Sequence, residues 1–155
     1  MPWRDELVRV AGRLETKTKQ ARWTNRTDYL IERDFVVGAY AMRWLLESGQ
    51  VSDDALHRIP VRRFDSGAMR PIAPGDLTVS YDFEGSRRDE LSVADLCHQI
   101  LRNVALTFYA GETADLFDGV FVGSDDYSAD VYLVLASDFI ALCEDVANST
   151  TTQSI

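Results

Sequence analysis

The scarcity of several residue types, and of long apolar runs, excludes whole classes of protein. The chain has only two cysteines and two histidines among 155 residues, too few thiols for the disulfide framework of a small secreted domain. No apolar run approaches the roughly 20 residues that a membrane-spanning helix needs. Residues 1–6 lack the apolar core of a secretion signal. We therefore expect a cytoplasmic protein without a membrane segment.

Motifs that carry a specific chemistry are also lacking. The sequence contains no Gly-x-x-x-x-Gly-Lys phosphate loop, no Gly-x-Gly-x-x-Gly and no Gly-x-Ser-x-Gly elbow. Neither Cys-x-x-Cys nor His-x-x-x-His occurs, which leaves a weak case for zinc. Aspartates and serines are dense in residues 124–130, but their spacing does not match a calcium-binding loop, and turn formation explains them. We predict no metal and no cofactor.

Charge is unevenly distributed along the chain, whose formal net charge is −9. Residues 1–75 hold 13 basic and 10 acidic residues, whereas residues 76–155 hold 3 basic and 15 acidic residues. An acidic half of this density repels nucleic acid and attracts a basic partner. It also keeps small proteins apart in solution, and we favour this second interpretation because many of the acids fall in predicted turns and caps.

Two helices are predicted in the N-terminal third from apolar residues at helical spacing. The first covers residues 3–21. The second runs from a cap at Asn25 or Thr27 to about Ser48. Gly49 is placed to end it, because glycine readily adopts the left-handed conformation that closes helices.

The clearest start signal in the sequence is Ser92 followed by Asp95, which begins a central helix. A further helix closes the chain, and Ser137 is expected to cap it. The buried face of the central helix is predicted from six apolar residues: Val93, Leu96, Cys97, Ile100, Leu101 and Val104.

Short apolar and β-branched runs predict five strands. The first is a brief edge strand, since it contains Pro60. Residues 85–88 are expected only to connect the second strand to the central helix, and residues 124–130 to join the last two strands as a hairpin. The predicted strands cover residues 59–64, 77–83, 105–110, 117–123 and 131–136.

These elements predict an α+β fold. We expect two N-terminal helices and a small, mainly antiparallel sheet, with the central and C-terminal helices packed on it. Residues 1–147 should form a single domain, since 46% of the residues are apolar and the length suits one core. Residues 148–155 are almost all small and polar, which predicts a flexible tail.

The run from Val93 to Val146 resembles a pattern found in small uncharacterised bacterial proteins of accessory or mobile genes. The resemblance covers about a third of the chain, implies an α+β fold and a bacterial origin, and carries no known activity. The pieces that match are Leu96-Cys97-His98-Gln99-Ile100, Leu106-Thr107-Phe108, Gly119-Val120-Phe121-Val122-Gly123-Ser124-Asp125 and Val131-Tyr132-Leu133-Val134.

His98 and Asp95 are the candidate catalytic residues. They lie one turn apart on the polar side of the central helix, and a carboxylate beside a histidine fixes its tautomer and raises its basicity. The alternative is a solvated surface histidine, which we favour because no partner nucleophile is identifiable by spacing.

Four arginines form the only basic cluster and are the candidate binding residues. Such a cluster suits phosphate, RNA or an acidic partner protein. Pairing with the acidic half of the chain is the interpretation we favour. The four are Arg58, Arg62, Arg63 and Arg70.

Two functions remain open from the sequence. The first is a non-enzymatic protein-binding factor of an immunity, antitoxin or inhibitor-like kind, whose partner is another protein. The second is a small hydrolase or nuclease-like enzyme that uses His98 with nearby acids. A homodimer built on the uncharged run Phe35–Met42 is compatible with either, although burial of that run in the core is the simpler expectation.

Overall fold

The computed structural model describes residues 2–19, 24–51, 57–64, 86–102, 107–109, 118–123 and 131–149. Its helices are α1 (Pro2–Thr18), α2 (Asn25–Glu47), α3 (Val93–Arg102) and α4 (Ala136–Asn148). Its strands are β1 (Arg58–Phe64), β2 (Ser86–Ser92), β3 (Thr107–Tyr109), β4 (Gly119–Gly123) and β5 (Val131–Leu135). The predicted α+β class is confirmed.

The five strands form one antiparallel sheet in the order β2-β1-β5-β4-β3. β4 and β5 pair along their whole length, from Gly119 opposite Leu135 to Gly123 opposite Val131. This pairing is the predicted antiparallel hairpin. The strand predicted at residues 77–83 lies outside the described residues.

The β1–β2 hairpin differs from the sequence prediction in two ways. β1 is an interior strand, between β2 and β5, and not an edge strand. Its pairing with β5 begins only at Arg62, so Pro60 lies where β1 pairs with β2 alone. Residues 86–88, expected to be a connection, belong to β2. Periodicity missed β2 because Leu91 is its only apolar residue.

The helices form two layers on one face of the sheet. α3 and α4 contact the strands, while α1 packs on α4 and α2, and α2 packs on α3. The side chains that the strands contribute to this core are Ile59, Val61, Leu91, Val120, Val122 and Val134. Phe64, Phe121 and Leu133 form a separate buried cluster, to which no described helix contributes a buried residue.

Local hydrogen bonds explain where the helices begin and end. Ser92 Oγ accepts a hydrogen bond from the Asp95 amide at 3.1 Å, as the sequence predicts. The cap of α2 is neither of the predicted residues, Asn25 or Thr27, but Thr24, which forms a reciprocal capping box with Thr27. Gly49 has φ = 75°, which confirms its role in ending α2.

The prediction that Ser137 caps α4 is wrong. α4 begins at Ala136, and its N-cap residue Leu135 makes no side-chain cap hydrogen bond. β5 leads straight into the helix, and the Ala136 amide donates instead to the Asp118 carbonyl at 2.7 Å. This hydrogen bond extends the pairing of β4 and β5 by one residue, into the first residue of the helix, and leaves Ser137 inside the helix instead of at its cap.

Arg4, in the first turn of α1, links the ends of two other helices. Its Nη1 donates to the carbonyl oxygens of Val146, Ala147 and Ser149 at the end of α4. Its Nη2 donates to the Gln50 carbonyl at 2.7 Å, just after α2. Helix C-termini carry unpaired carbonyls and a partial negative charge, so one guanidinium stabilises both ends.

In the described part of the chain, no helix has an apolar stretch long enough to cross a membrane. The division into a domain of residues 1–147 and a flexible tail stays a prediction, and residues 150–155 lie outside the described residues.

We expect Arg4→Met to lower the free energy of unfolding by about 2–3 kcal/mol, because several charge-assisted hydrogen bonds are lost together. Urea denaturation measures this change. Arg9→Met on the same helix is the control, since Arg9 is exposed and bonds Glu6 at 3.2 Å. Its loss should stay below about 0.5 kcal/mol. Equal losses for the two variants would contradict the role of Arg4.

Replacing glycine by alanine should have opposite effects at two positions. A Cβ at Gly119 would lie 2.5 Å from the Val134 carbonyl oxygen, so Gly119→Ala should cost about 2 kcal/mol or more. A Cβ at Gly12 meets no atom within 4 Å, so Gly12→Ala should gain about 0.5–1 kcal/mol from helix propensity. Chemical denaturation compares them, and changes of the same sign would refute the assigned packing.

Candidate functional site

The structure places His98 and Asp95 on the solvent-exposed side of α3. His98 Nε2 lies 3.3 Å from Arg102 Nη1, one turn along the helix, and the Asp95 amide is used to bond Ser92. This arrangement is a local surface pair. A catalytic role for His98 and Asp95 stays a prediction, without support from a neighbouring nucleophile among the described residues.

Three of the four candidate binding arginines lie on β1. Arg58 Nε bonds Glu90 Oε2 at 3.1 Å, and Arg63 Nη1 lies 3.7 Å from Asp89 Oδ2, both on β2. Arg58 and Arg63 therefore pair with carboxylates of the acidic half of the chain, which is the interpretation favoured from the sequence. Arg62 is half-buried, whereas Arg70 lies outside the described residues.

Sequence analysis overlooked two arginines of the same hairpin. Arg88 stands directly opposite Arg62, and Arg87 opposite Arg63. Like charges in directly opposite positions oppose strand pairing, and the acidic residues of the same two strands are Asp89 and Glu90. A binding role for this hairpin stays a prediction. The sequence signal for them is the pair Arg87-Arg88, which lies in the stretch predicted to be a connection.

Neither a metal centre nor a reactive thiol is visible in the described residues. No group of three or more His, Cys, Asp or Glu side chains converges there, and the aspartates of residues 124–130 lie outside them. Cys97 and Cys143 are free and buried. Burial raises the pKa of the Cys143 thiol well above its ordinary value, and neighbouring Cys97 acts in the same direction. A protonated thiol is a poor nucleophile.

The most unusual surface of the described structure runs along α2. Four of its large apolar side chains face solvent: Tyr29 is 62% exposed, Tyr40 50%, and Val36 and Trp44 38% each. We call these four residues the α2 stripe. Their spacing of seven, four and four residues places them within about 80° of arc on one side of a helix.

The α2 stripe occupies the side of the helix where charged residues are normally found. The opposite side of α2 is fully buried and packs on the rest of the core; its members include Ile31, Phe35, Ala39, Met42 and Leu45. The simpler expectation for the run Phe35–Met42, burial, therefore holds for most of it, but Val36 and Tyr40 point outward.

α1 extends the stripe and holds part of it in place. The Trp3 ring stacks on Trp44 with centroids 5.9 Å apart and leans on Tyr40 at 5.4 Å. Aromatic side chains fixed in this way lose little conformational entropy when a partner covers them. The stripe is therefore preorganised at its C-terminal end.

The charges around the stripe balance. Counted along α2, the ionisable residues that are not fully buried carry three positive and three negative charges, in a chain whose net charge is −9. They are Arg26, Asp28, Glu32, Arg33, Arg43 and Glu47. A partner approaching this face meets little net repulsion from the helix itself.

A partly buried ionic network links α2 to α1. The Asp34 side chain is completely buried, and its Oδ1 accepts hydrogen bonds from Arg13 Nε at 2.8 Å and Arg33 Nη2 at 3.3 Å. Arg13 also bonds Glu6 at 3.1 Å, and this hydrogen bond lowers the pKa of Glu6. α1 is thereby held at a defined position along α2.

We predict that a thiol reagent such as DTNB modifies neither cysteine in the native protein at neutral pH, because both thiols are buried and burial keeps Cys143 protonated. Unfolding in guanidinium should release two reactive thiols. The absorbance of the released thiolate measures both states. Rapid modification of either cysteine before unfolding would contradict the packing of α3 and α4.

Comparisons with protein-family models, with curated proteins and with solved structures find no match to this chain. The pattern shared with small bacterial proteins therefore stays a resemblance of local sequence. The function has to be inferred from the surface of the molecule, and the α2 stripe is the feature of the described residues that departs most from an ordinary solvated surface.

Proposed function

We propose that the chain is a non-enzymatic protein-binding factor, of the immunity, antitoxin or inhibitor-like kind found in bacterial accessory or mobile elements. The observation that carries the proposal is the α2 stripe, an exposed row of aromatic and aliphatic side chains on a helix whose other side is core. Another protein is the partner, and the cytoplasm is the compartment that fits the sequence.

The composition of the stripe suits protein binding. Tyrosine, tryptophan and arginine are the residues that most often dominate the energy of protein interfaces. Each buried aromatic side chain removes about 150–250 Å² from water. Tyr29, Tyr40 and Trp44, with Arg33 beside them, supply this composition at helical spacing, which is how one helix presents anchors to a partner.

Nucleic acid is an unfavourable partner. The net charge of −9 works against the many phosphate contacts that such binding requires. On the β1–β2 hairpin, Arg58 and Arg63 already pair with carboxylates of the same hairpin.

The hydrolase or nuclease-like alternative depends on His98. A general base needs a nearby nucleophile or water held in a concave site. The described surroundings of His98 are an exposed helix surface with Arg102. We therefore rank this alternative second, and a His98→Ala variant separates it from protein binding.

The test is an affinity capture from bacterial lysate, followed by titration of any retained protein after its purification. Val36→Glu places a charge within the stripe, and we expect it to weaken binding at least tenfold, or about 1.4 kcal/mol. The matched control is Val8→Glu, the same substitution at a 53% exposed valine of α1 outside the stripe. Circular dichroism checks that both variants fold.

The proposal requires that Val8→Glu and His98→Ala bind as well as the wild type. If Val8→Glu loses binding to the same extent as Val36→Glu, the stripe is not the binding surface. If His98→Ala alone abolishes a measurable hydrolytic activity of the chain, the enzyme alternative replaces the proposal.

A further inference from the structure

We infer, on the basis of the proposed function, that the protein bound by the α2 stripe is a second copy of this chain, with the two α2 helices packed antiparallel. A two-fold interface presents the same surface twice, so it must complement itself. The α2 stripe meets this condition in one particular alignment, and the evidence is the order of its aromatic and charged residues.

The alignment places position 29 of one copy level with position 44 of the other. Tyr29 then meets the second copy's Trp44 at both ends of the contact. Arg33 lies level with the second copy's Tyr40, in reach of the ring face that attracts guanidinium groups. Val36 falls beside the two-fold axis and meets its own counterpart.

Charge selects this alignment over its neighbours. Arg26 lies level with the second copy's Glu47, so both outer ends of the contact carry opposite charges. Parallel pairing would put Arg26, Arg33 and Glu47 each opposite itself. An antiparallel pairing shifted by three residues in one direction would put Arg33 opposite Arg43, and a shift of four in the other direction would put Arg26 opposite Arg43. Like-charge pairs of this kind disfavour the wrong arrangement.

The strongly acidic part of the chain does not prevent this association. Charges separated by more than about 8 Å are largely screened at physiological ionic strength. The charges of α2 that are not fully buried sum to zero, so the helix itself adds no net repulsion between two copies. Trp3 of each copy, stacked on Trp44, adds apolar surface next to the second copy's Tyr29.

The first experiment is disulfide trapping of the full chain, which reads the geometry directly. Val36→Cys should form a covalent dimer under mild oxidation, because Val36 meets its own counterpart. Tyr29→Cys should not, since the two copies of position 29 lie about 22 Å apart along the antiparallel pair. Val8→Cys controls for random collision at an exposed site. The native thiols are buried and should add no background.

The second experiment is the mass in solution, by light scattering at micromolar concentrations. The wild type should have twice the 17.4 kDa mass of one chain. Val36→Glu should raise the dissociation constant at least about tenfold, and Val8→Glu should leave it unchanged.

The possible results separate this inference from the proposed function. One result is a wild type that stays at 17.4 kDa and yet captures a different protein in a Val36-dependent way. That result overturns the inference that the partner is a second copy and leaves the proposed function intact. A dimer insensitive to Val36→Glu overturns the α2 contact. Cross-linking of Tyr29→Cys as efficient as that of Val36→Cys overturns the antiparallel alignment. A Val36→Glu-sensitive dimer trapped only through position 36 supports the inference and identifies a second copy as the protein that the stripe binds.

Discussion

The arrangement of the helical layer depends on one guanidinium group. Arg4 donates to four carbonyl oxygens that belong to two chain segments far apart in sequence, Gln50 and the end of α4. Because a guanidinium presents donors in a fixed plane, it constrains direction as well as distance. α1 must therefore lie with its first turn between these helix ends. This fixes the neighbouring residue Trp3 against Tyr40 and Trp44, so the α2 stripe depends on a contact outside it.

A second constraint acts at the opposite side of α2. Asp34 is completely buried, and its Oδ2 atom has no hydrogen-bond partner among the described residues. A buried carboxylate is costly, and the pairs with half-buried Arg13 and Arg33 offset only part of that cost. In other proteins, apolar residues of similar volume often replace such a buried ion pair without loss of stability. The pair between Arg13 and Asp34 instead sets how α1 and α2 align, because sliding one helix along the other would separate the buried carboxylate from the arginine of α1.

Sequence reasoning succeeded where a local signal decides the structure. The Ser92–Asp95 start and the Gly49 end involve only neighbouring backbone groups, so they are readable without the fold. It failed where the deciding partner is distant. β2 has a single apolar residue, Leu91, and is a strand because it pairs with β1 along seven residues. Ser137 is not the cap because α4 already begins at Ala136, whose amide donates to the Asp118 carbonyl just before the adjacent strand β4.

The α2 stripe was missed for a related reason. An uncharged run such as residues 35–42 indicates burial but does not say on which sides, and only the packing of α1 and α3 decides it. Tyr29 and Trp44 belong to the same surface, although both lie outside residues 35–42. The periodic order of Tyr29, Val36, Tyr40 and Trp44 was present in the sequence, but it becomes meaningful only once the opposite side is known to be core.

The acidic composition and the stripe then have complementary effects. Like charge spread over much of the chain opposes unspecific association, because any two such surfaces repel. Two nearly neutral apolar faces do not repel each other in this way. An exposed face of this kind promotes aggregation unless a partner covers it. Confining it to one helix, between charges of both signs that sum to zero, allows association there and disfavours it elsewhere. In the proposed association, the acidic residues outside α2 would therefore restrict where a second chain binds, and the charges of α2 itself would set its direction.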